Sequence, residues 1–68
     1  MTFKILSIGK GLREGEKYTS RINSESVKKA LEISEPHLFP KNFNIKHLGN
    51  RMWEASSEEH DFLVVEID

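Results

Sequence analysis

The chain has 68 residues, no cysteine, and 10 basic against 11 acidic residues, so its formal net charge is −1 at pH 7. This length predicts a single domain over residues 1–68 that buries only about 60% of its unfolded surface. With no cysteine and no Cys/His metal pattern, neither a disulfide nor a zinc site is expected to support its small core. The near-neutral charge argues against a general nucleic-acid binder, which should carry a basic excess.

No segment suggests a membrane span or a secretion signal. The longest apolar run, Phe62-Leu63-Val64-Val65, is too short to cross a bilayer, and the N-terminus lacks signal-peptide anatomy. We therefore expect a soluble protein of the cytoplasm (that of a host cell, if the protein is viral), without membrane contact. Cations concentrate between residues 4 and 29 and anions between 54 and 68. Chance and solubility produce such segregation in small proteins, and the alternative is two patches with different partners.

The first predicted strand, Phe3–Ile8, is apolar on both faces and is expected inside a sheet. A glycine-rich loop follows at Gly9–Gly15. The second predicted strand runs from about Glu16 to Ile22. Its period of two places Tyr18, Ser20 and Ile22 on one face and Lys17, Thr19 and Arg21 on the other.

One helix is predicted, over about Glu25–Ser34, with Asn23 or Ser24 as its N-cap. An apolar stripe at spacings of three and four identifies its inward face, and Pro36 ends it. The stripe consists of Val27, Ala30, Leu31 and Ser34, and Ile33 widens it.

Three further strands are predicted, over Asn42–Leu48, Arg51–Ala55 and Phe62–Ile67. Gly49-Asn50 is the expected hairpin turn between the first two, and an acidic loop precedes the last. The order strand, strand, helix, strand, strand, strand predicts an α+β fold. We expect a small, largely antiparallel five-stranded sheet with one helix packed on one face.

Trp53 is the first candidate for partner binding. With Gly49-Asn50 as a two-residue turn, Lys46 pairs with Trp53 and His47 with Met52. This register sends Phe43, Ile45 and Met52 inward. It sends Trp53 outward, beside Lys46, Leu48 and Arg51. An outward tryptophan among cations is typical of an interface anchor. Two alternatives remain open: a bulge that turns Trp53 into the core, or a cation–π pair with Lys46.

The acidic loop supplies the second candidate, through Glu58, Glu59 and Asp61. It lacks the ligand spacing of a calcium loop, and the alternatives are a solvated loop or a mimic of nucleic-acid charge. The Gly9–Gly15 loop offers Lys10 and Arg13 to an anion but does not match the P-loop pattern, so a mobile hairpin loop is the alternative. The three histidines, His37, His47 and His60, show no catalytic or metal-binding spacing. No metal and no cofactor is expected.

The run Ile22-Asn23-Ser24-Glu25-Ser26, leading directly into Val27-Lys28-Lys29-Ala30-Leu31, is followed by a hairpin and a closing strand. This order of elements resembles that of very small phage-encoded inhibitors, some anti-CRISPR proteins among them. The resemblance implies an antagonist of a host defence or toxin protein. It carries over no catalytic residues.

The sequence thus predicts a non-enzymatic binding protein that contacts a larger host protein or protein–nucleic-acid complex. Self-association as a dimer is expected because the core is small and the sheet has edges. The alternative is a small nucleic-acid-binding module, with Trp53 as a stacking residue among cations. Those cations are Lys10, Arg13, Lys17, Arg21, Lys46 and Arg51. A small enzyme such as a ribonuclease ranks third.

Overall fold

The computed structural model describes residues 1–34 and 44–67. They form a five-stranded antiparallel sheet with one helix on one face, so the predicted α+β class is confirmed. The strands are β1 (Thr2–Gly9), β2 (Lys17–Asn23), β3 (Asn44–Gly49), β4 (Met52–Ser56) and β5 (His60–Glu66), and the helix is α1 (Val27–Ser34). Within the described ranges, no helix is long and apolar enough to span a membrane.

The strands lie in the order β2-β1-β5-β4-β3, so β1 and β5 are interior, as their apolar faces predict. The pairing of β1 with β5 joins an N-terminal β1–β2 hairpin to a C-terminal β3–β4–β5 meander. The core lies between the sheet and α1. Its buried apolar residues are Phe3, Ile5, Ala30, Leu31, Ala55, Phe62 and Val64.

The helix begins at Val27, two residues later than predicted. Ser26 caps it, since its Oγ accepts a hydrogen bond from the Lys29 amide at 3.2 Å. Neither Asn23 nor Ser24 is the cap. The Ser24 hydroxyl instead accepts from the Ser26 amide at 3.5 Å, which shapes the turn between β2 and α1.

The β3–β4 turn lies one residue later than predicted. Asn50 and Arg51 have positive φ angles of 49° and 64°, which makes them the two central turn residues, and Gly49 pairs with Met52. A bulge between His47 and Gly49 accommodates the difference. The predicted register is therefore wrong.

Because side chains alternate along a strand, this slip of one residue exchanges the two faces of β4. Trp53 pairs with His47 and with the buried Val64, and so lies on the face that carries α1. Met52 pairs with Val65 and lies on the open face, the side of the sheet away from the helix. Lys46 pairs with Glu54, not with Trp53.

The remaining predicted bounds differ by one or two residues. The last strand begins at His60 rather than Phe62, because the preceding turn is tighter than expected. A 3₁₀ turn at Gly11–Arg13 was not predicted. Asn42 and Phe43, the first two residues of the third predicted strand, lie outside the described residues, as do Pro36 and His37.

We expect Leu31→Ala to lower the free energy of unfolding by about 2–4 kcal/mol, because a fully buried leucine leaves a cavity when truncated. The matched control is Ile33→Ala on the same helix. Ile33 does not widen the inward stripe as predicted: it is 54% exposed, so its truncation should cost no more than about 0.5 kcal/mol. Urea titrations of the two variants measure both values. Equal losses would show that α1 packs in a different orientation.

Candidate functional site

The loop between β1 and β2, residues 10–16, projects from one end of the sheet and is called here the Leu12 loop. Its base is closed by a hydrogen bond from the Gly9 amide to the Glu16 carbonyl, at 2.8 Å. Within it, the Arg13 amide donates to Lys10 and the Glu16 amide donates to Arg13. The chain curls so tightly that a Cβ on Gly9 would overlap the Arg13 carbonyl oxygen. Glycine is therefore required at position 9 for this shape.

Three ion pairs involve the Leu12 loop: two join it to the acidic residues that begin or precede β5, and one lies within it. Lys10 Nζ lies 3.0 Å from Asp61 Oδ1, and Arg13 Nε lies 3.3 Å from Glu59 Oε2. Within the loop, Arg13 Nη1 lies 3.4 Å from Glu16 Oε2. A backbone bond from the Lys10 amide to the Glu59 carbonyl, at 2.9 Å, ties the same two segments together. Exposed ion pairs contribute little stability one by one, so their main effect here is to orient the loop.

Arg13 is the centre of this network. Hydrogen bonds from its guanidinium to Glu16 and then to Glu59 raise the pKa of Arg13 above its ordinary value, because both carboxylates favour the charged form. Its five donors suit it to two carboxylates at once, which a lysine would hold less firmly.

The acidic loop between β4 and β5, called here the acidic turn, receives these contacts, and hydrogen bonds fix its backbone. The Ser57 amide donates to the His60 carbonyl at 2.8 Å, and the His60 amide donates to Ser57 Oγ at 3.2 Å. Ser57 therefore closes the β4–β5 hairpin and presents Glu59 and Asp61 to the Leu12 loop. Glu58 is exposed at the tip and forms no ion pair with a described residue.

Leu12 itself stands at the top of the 3₁₀ turn with its side chain 99% exposed. A single exposed leucine on a protein surface is ordinary. This one differs because hydrogen bonds and ion pairs on both sides fix the backbone that carries it. An ordered loop loses little conformational freedom on binding, so it can present an apolar side chain at low entropic cost.

His60 and Ser7 are buried polar side chains beneath the Leu12 loop, 2% and 1% exposed. His60 Nε2 lies 3.5 Å from Glu16 Oε1, and neither ring nitrogen forms a hydrogen bond within the described part of the chain. Ser7 Oγ also lacks a hydrogen-bond partner in the described part of the chain. A serine nucleophile must reach its substrate, and Ser7 is closed to solvent. The pair therefore does not form an open catalytic site.

His47 and His60, the histidines that the structure describes, do not converge. His47 is exposed on β3 and stacks on Trp53, with ring centroids 4.8 Å apart, whereas His60 starts β5 next to the Leu12 loop. His37 lies outside the described residues. Among residues 1–34 and 44–67, no group of three histidine and carboxylate side chains is placed to hold a metal ion.

Trp53 is partly buried against the core instead of pointing outward. Its ring meets Phe3 edge to face, with centroids 6.0 Å apart. Together with Val27 and Ile45 it lines an apolar groove of about 390 Å³ beside α1. The structure separates Trp53 from Lys46, which lies on the open face, and from Arg51, which lies in the turn. The predicted cluster around Trp53 therefore does not form.

The other predicted site residues lie in three places. The Leu12 loop and the acidic turn bring together Lys10, Arg13, Glu59 and Asp61, which were assigned to two competing interpretations. Lys17 and Arg21 lie on the open face of β2, away from this network. Leu48 is 45% exposed near the β3–β4 turn.

Sequence reasoning missed two residues of the site, Leu12 and Glu16, and it did not predict that His60 lies next to the Leu12 loop. The sequence gives a weak signal for Leu12, because it is a lone leucine between Gly11 and Arg13 in an otherwise polar, glycine-rich loop. The roles of Glu16 and His60 depend on the pairing of β1 with β5, which brings Gly9 opposite His60. No local pattern shows that pairing.

No protein-family model matches the chain, and no curated protein or solved structure is detectably similar to it. The resemblance to small phage inhibitors therefore stays a prediction.

We expect Trp53→Ala to lower the free energy of unfolding by about 2 kcal/mol, since a half-buried tryptophan contributes less than the 3–5 kcal/mol of a fully buried one. Lys46→Ala is the control, because Lys46 is exposed on the open face and its loss should cost at most about 0.5 kcal/mol. Circular dichroism melts measure both. A Trp53→Ala protein as stable as the wild type would contradict the packing against Phe3.

We expect Gly9→Ala to cost about 1–3 kcal/mol, because the added Cβ collides with backbone at Arg13 and not with a movable side chain. Gly11→Asn is the control. Gly11 has a φ of 61° and open space around it, and asparagine tolerates that conformation. Amide chemical shifts of residues 10–16 should move widely in the first variant and little in the second.

Proposed function

We propose that the protein is a small non-enzymatic binding protein that antagonises a larger protein by direct contact, with Leu12 at the centre of the contact. The observation that carries this proposal is the 99% exposure of Leu12 on a loop that is held on both sides. A protruding apolar side chain on an ordered turn fits an apolar socket on a partner. Burying one leucine contributes about 1.5–3 kcal/mol.

The shape of the Leu12 loop limits which partner surfaces it can contact. Residues 11–13 form a 3₁₀ turn, so they do not present the extended backbone that a protease cleft or a strand-binding groove accepts. The partner surface is instead a local depression that receives one side chain. Glu14 and Glu58, both exposed and without an ion pair among the described residues, favour a depression with cations at its rim.

The charge network disfavours nucleic acid at this end of the molecule. Lys10 and Arg13 are held by Asp61, Glu59 and Glu16, so a phosphate would have to displace carboxylates to reach them. The same contacts neutralise Glu59 and Asp61 and leave Glu58 as the acidic residue of the turn without an ion pair among the described residues, which weakens the idea that the turn mimics nucleic-acid charge. An apolar contact through Leu12 depends on neither group of charges.

The choice of a host defence or toxin protein as the target rests on the resemblance in element order to small phage inhibitors. It implies action in the cytoplasm of an infected bacterium, on a protein or on a protein–nucleic-acid complex. The dimer expected from sequence stays a prediction, and sedimentation at micromolar concentration tests it against a single species near 7.9 kDa.

Photo-crosslinking in living bacteria tests the proposed contact. A benzoylphenylalanine placed at position 12 should capture one larger protein, whereas the same group at position 46 on the open face should not. Binding of the purified partner is then compared for Leu12→Ala and Leu48→Ala. Both residues are exposed leucines, and Leu48 belongs to the partner site predicted from the sequence.

Leu12→Ala should weaken binding about tenfold to a hundredfold, the equivalent of the burial energy of one leucine, with an unchanged melting temperature. Leu48→Ala should bind as the wild type does. The reverse result would place the contact at the β3–β4 hairpin and refute the proposal. An oligonucleotide that binds the protein, with an affinity that falls steeply as salt is added, would instead support the nucleic-acid alternative.

A further inference from the structure

A second surface lies along the outer edge of β2, and it is independent of the Leu12 contact. We infer that β2 accepts an extended acidic segment of a partner protein, which adds to the sheet as a sixth strand. The segment alternates acidic residues on the open face with apolar residues on the face that carries α1. The inference follows from the free backbone groups of β2, the side chains along it and their charge.

The hydrogen-bond ladder shows which backbone groups of β2 are free. The Gly9 amide donates to the Glu16 carbonyl, and the Ser24 amide donates to the Met1 carbonyl. These two bonds bracket β2 and identify residues 18, 20 and 22 as those whose backbone groups point toward β1. The backbone N–H and C=O of Lys17, Thr19 and Arg21 therefore point away from the sheet. This row of donors and acceptors is a template for another strand.

β2 is better suited to strand addition than β3, the other edge. Its pairing with β1 runs through seven consecutive residue pairs without a shift, so its outer edge is regular. β3 is broken by the bulge between His47 and Gly49. A bulge twists an edge and interrupts pairing.

Two exposed apolar side chains, Tyr18 and Ile33, lie near this edge on the helix-bearing face. Tyr18 is 52% exposed on β2 and Ile33 is 54% exposed on α1. Ile33 shares a groove with Asn23 and Lys29 next to the end of β2. On the opposite flank of the helix, Lys28 shares a groove with Trp53. Ile33 therefore lies on the side of the helix next to β2. There it and Tyr18 can contact apolar side chains of an added strand.

The open face of the same edge is basic. Lys17 and Arg21 project from it, and Lys4 lies directly opposite Arg21 on β1. None of the three forms an ion pair with a described carboxylate. Acidic side chains of an added strand would lie opposite Lys17 and Arg21, where cross-strand pairs of opposite charge are favourable.

The same charges argue against a second copy as the occupant. Self-pairing along β2 would place Lys17 and Arg21 of both copies on one face, and cations on edge strands are a common defence against such pairing. Single-stranded nucleic acid is also disfavoured, because the open face of β2 carries Lys17, Thr19 and Arg21, with no aromatic ring for a base to stack on.

Amide hydrogen exchange with a synthetic probe tests the inference on the wild-type protein. The probe is a blocked heptapeptide that alternates glutamate and valine, and its control alternates lysine and valine. At about ten times the dissociation constant of the glutamate peptide, exchange of the Lys17, Thr19 and Arg21 amides should slow about tenfold. The amides of Tyr18, Ser20 and Ile22, already bonded to β1, should change little. This alternation distinguishes strand addition from any other mode of binding.

Charge reversal then tests the preference. In the double variant Lys17→Glu with Arg21→Glu, protection should follow the lysine peptide instead of the glutamate peptide. Lys46→Glu, on the bulged edge, is the matched control and should keep the wild-type preference. All three changes are at exposed side chains, and a melting curve verifies the fold.

Four outcomes would overturn the inference. The first is no alternating protection with the glutamate peptide, and the second is equal protection by both peptides. The third is protection that appears when the protein alone is concentrated, which would make a second copy the occupant. A thymidine oligonucleotide that binds in place of the glutamate peptide would likewise point to nucleic acid. None of these results depends on Leu12, so failure here leaves the contact through the loop intact.

Discussion

The pairing of β1 with β5 is the interaction on which the rest of the structure depends, because it joins two parts of the chain that are far apart in sequence. Phe3 pairs with Glu66 at one end of this ladder, and Gly9 pairs with His60 at the other. The second of these pairs brings the Leu12 loop to the acidic turn. Lys10 and Asp61 are separated by 51 residues, so no local tendency would bring them together.

The same pairing decides which edges stay open. β5 pairs with one side of β1 and β2 pairs with the other. β2 is therefore an edge strand, and its outer backbone groups face away from the sheet. The core lies on the other side of the same ladder, where Ile5 of β1 and Val64 of β5 are fully buried opposite each other under a two-turn helix. A core this small makes each fully buried side chain a large share of the total stability.

Much of the fold is predictable from the sequence, because periodicity reports local structure. The apolar runs around Ile5 and Val64 predicted interior strands, and the stripe through Leu31 predicted the helix. The hairpin shows where this fails. Gly49-Asn50 and Asn50-Arg51 are both plausible turns, and a glycine before the turn absorbs the difference through a φ of 94°. A choice between two neighbouring turns then decides whether Trp53 faces the core.

Charge distribution is harder to read from sequence, because it depends on which residues meet. As a linear pattern, the cations of residues 10–21 form one basic segment and the anions of residues 58–61 form one acidic segment. The fold divides the first segment in two: Lys10 and Arg13 are neutralised by the acidic turn, whereas Lys17 and Arg21 are not. One end of the molecule is left with an ordered apolar projection, and the adjacent edge keeps its positive charge. The contact through Leu12 is mainly apolar, whereas the contact along β2 depends on charge, and added salt should therefore weaken the first less than the second.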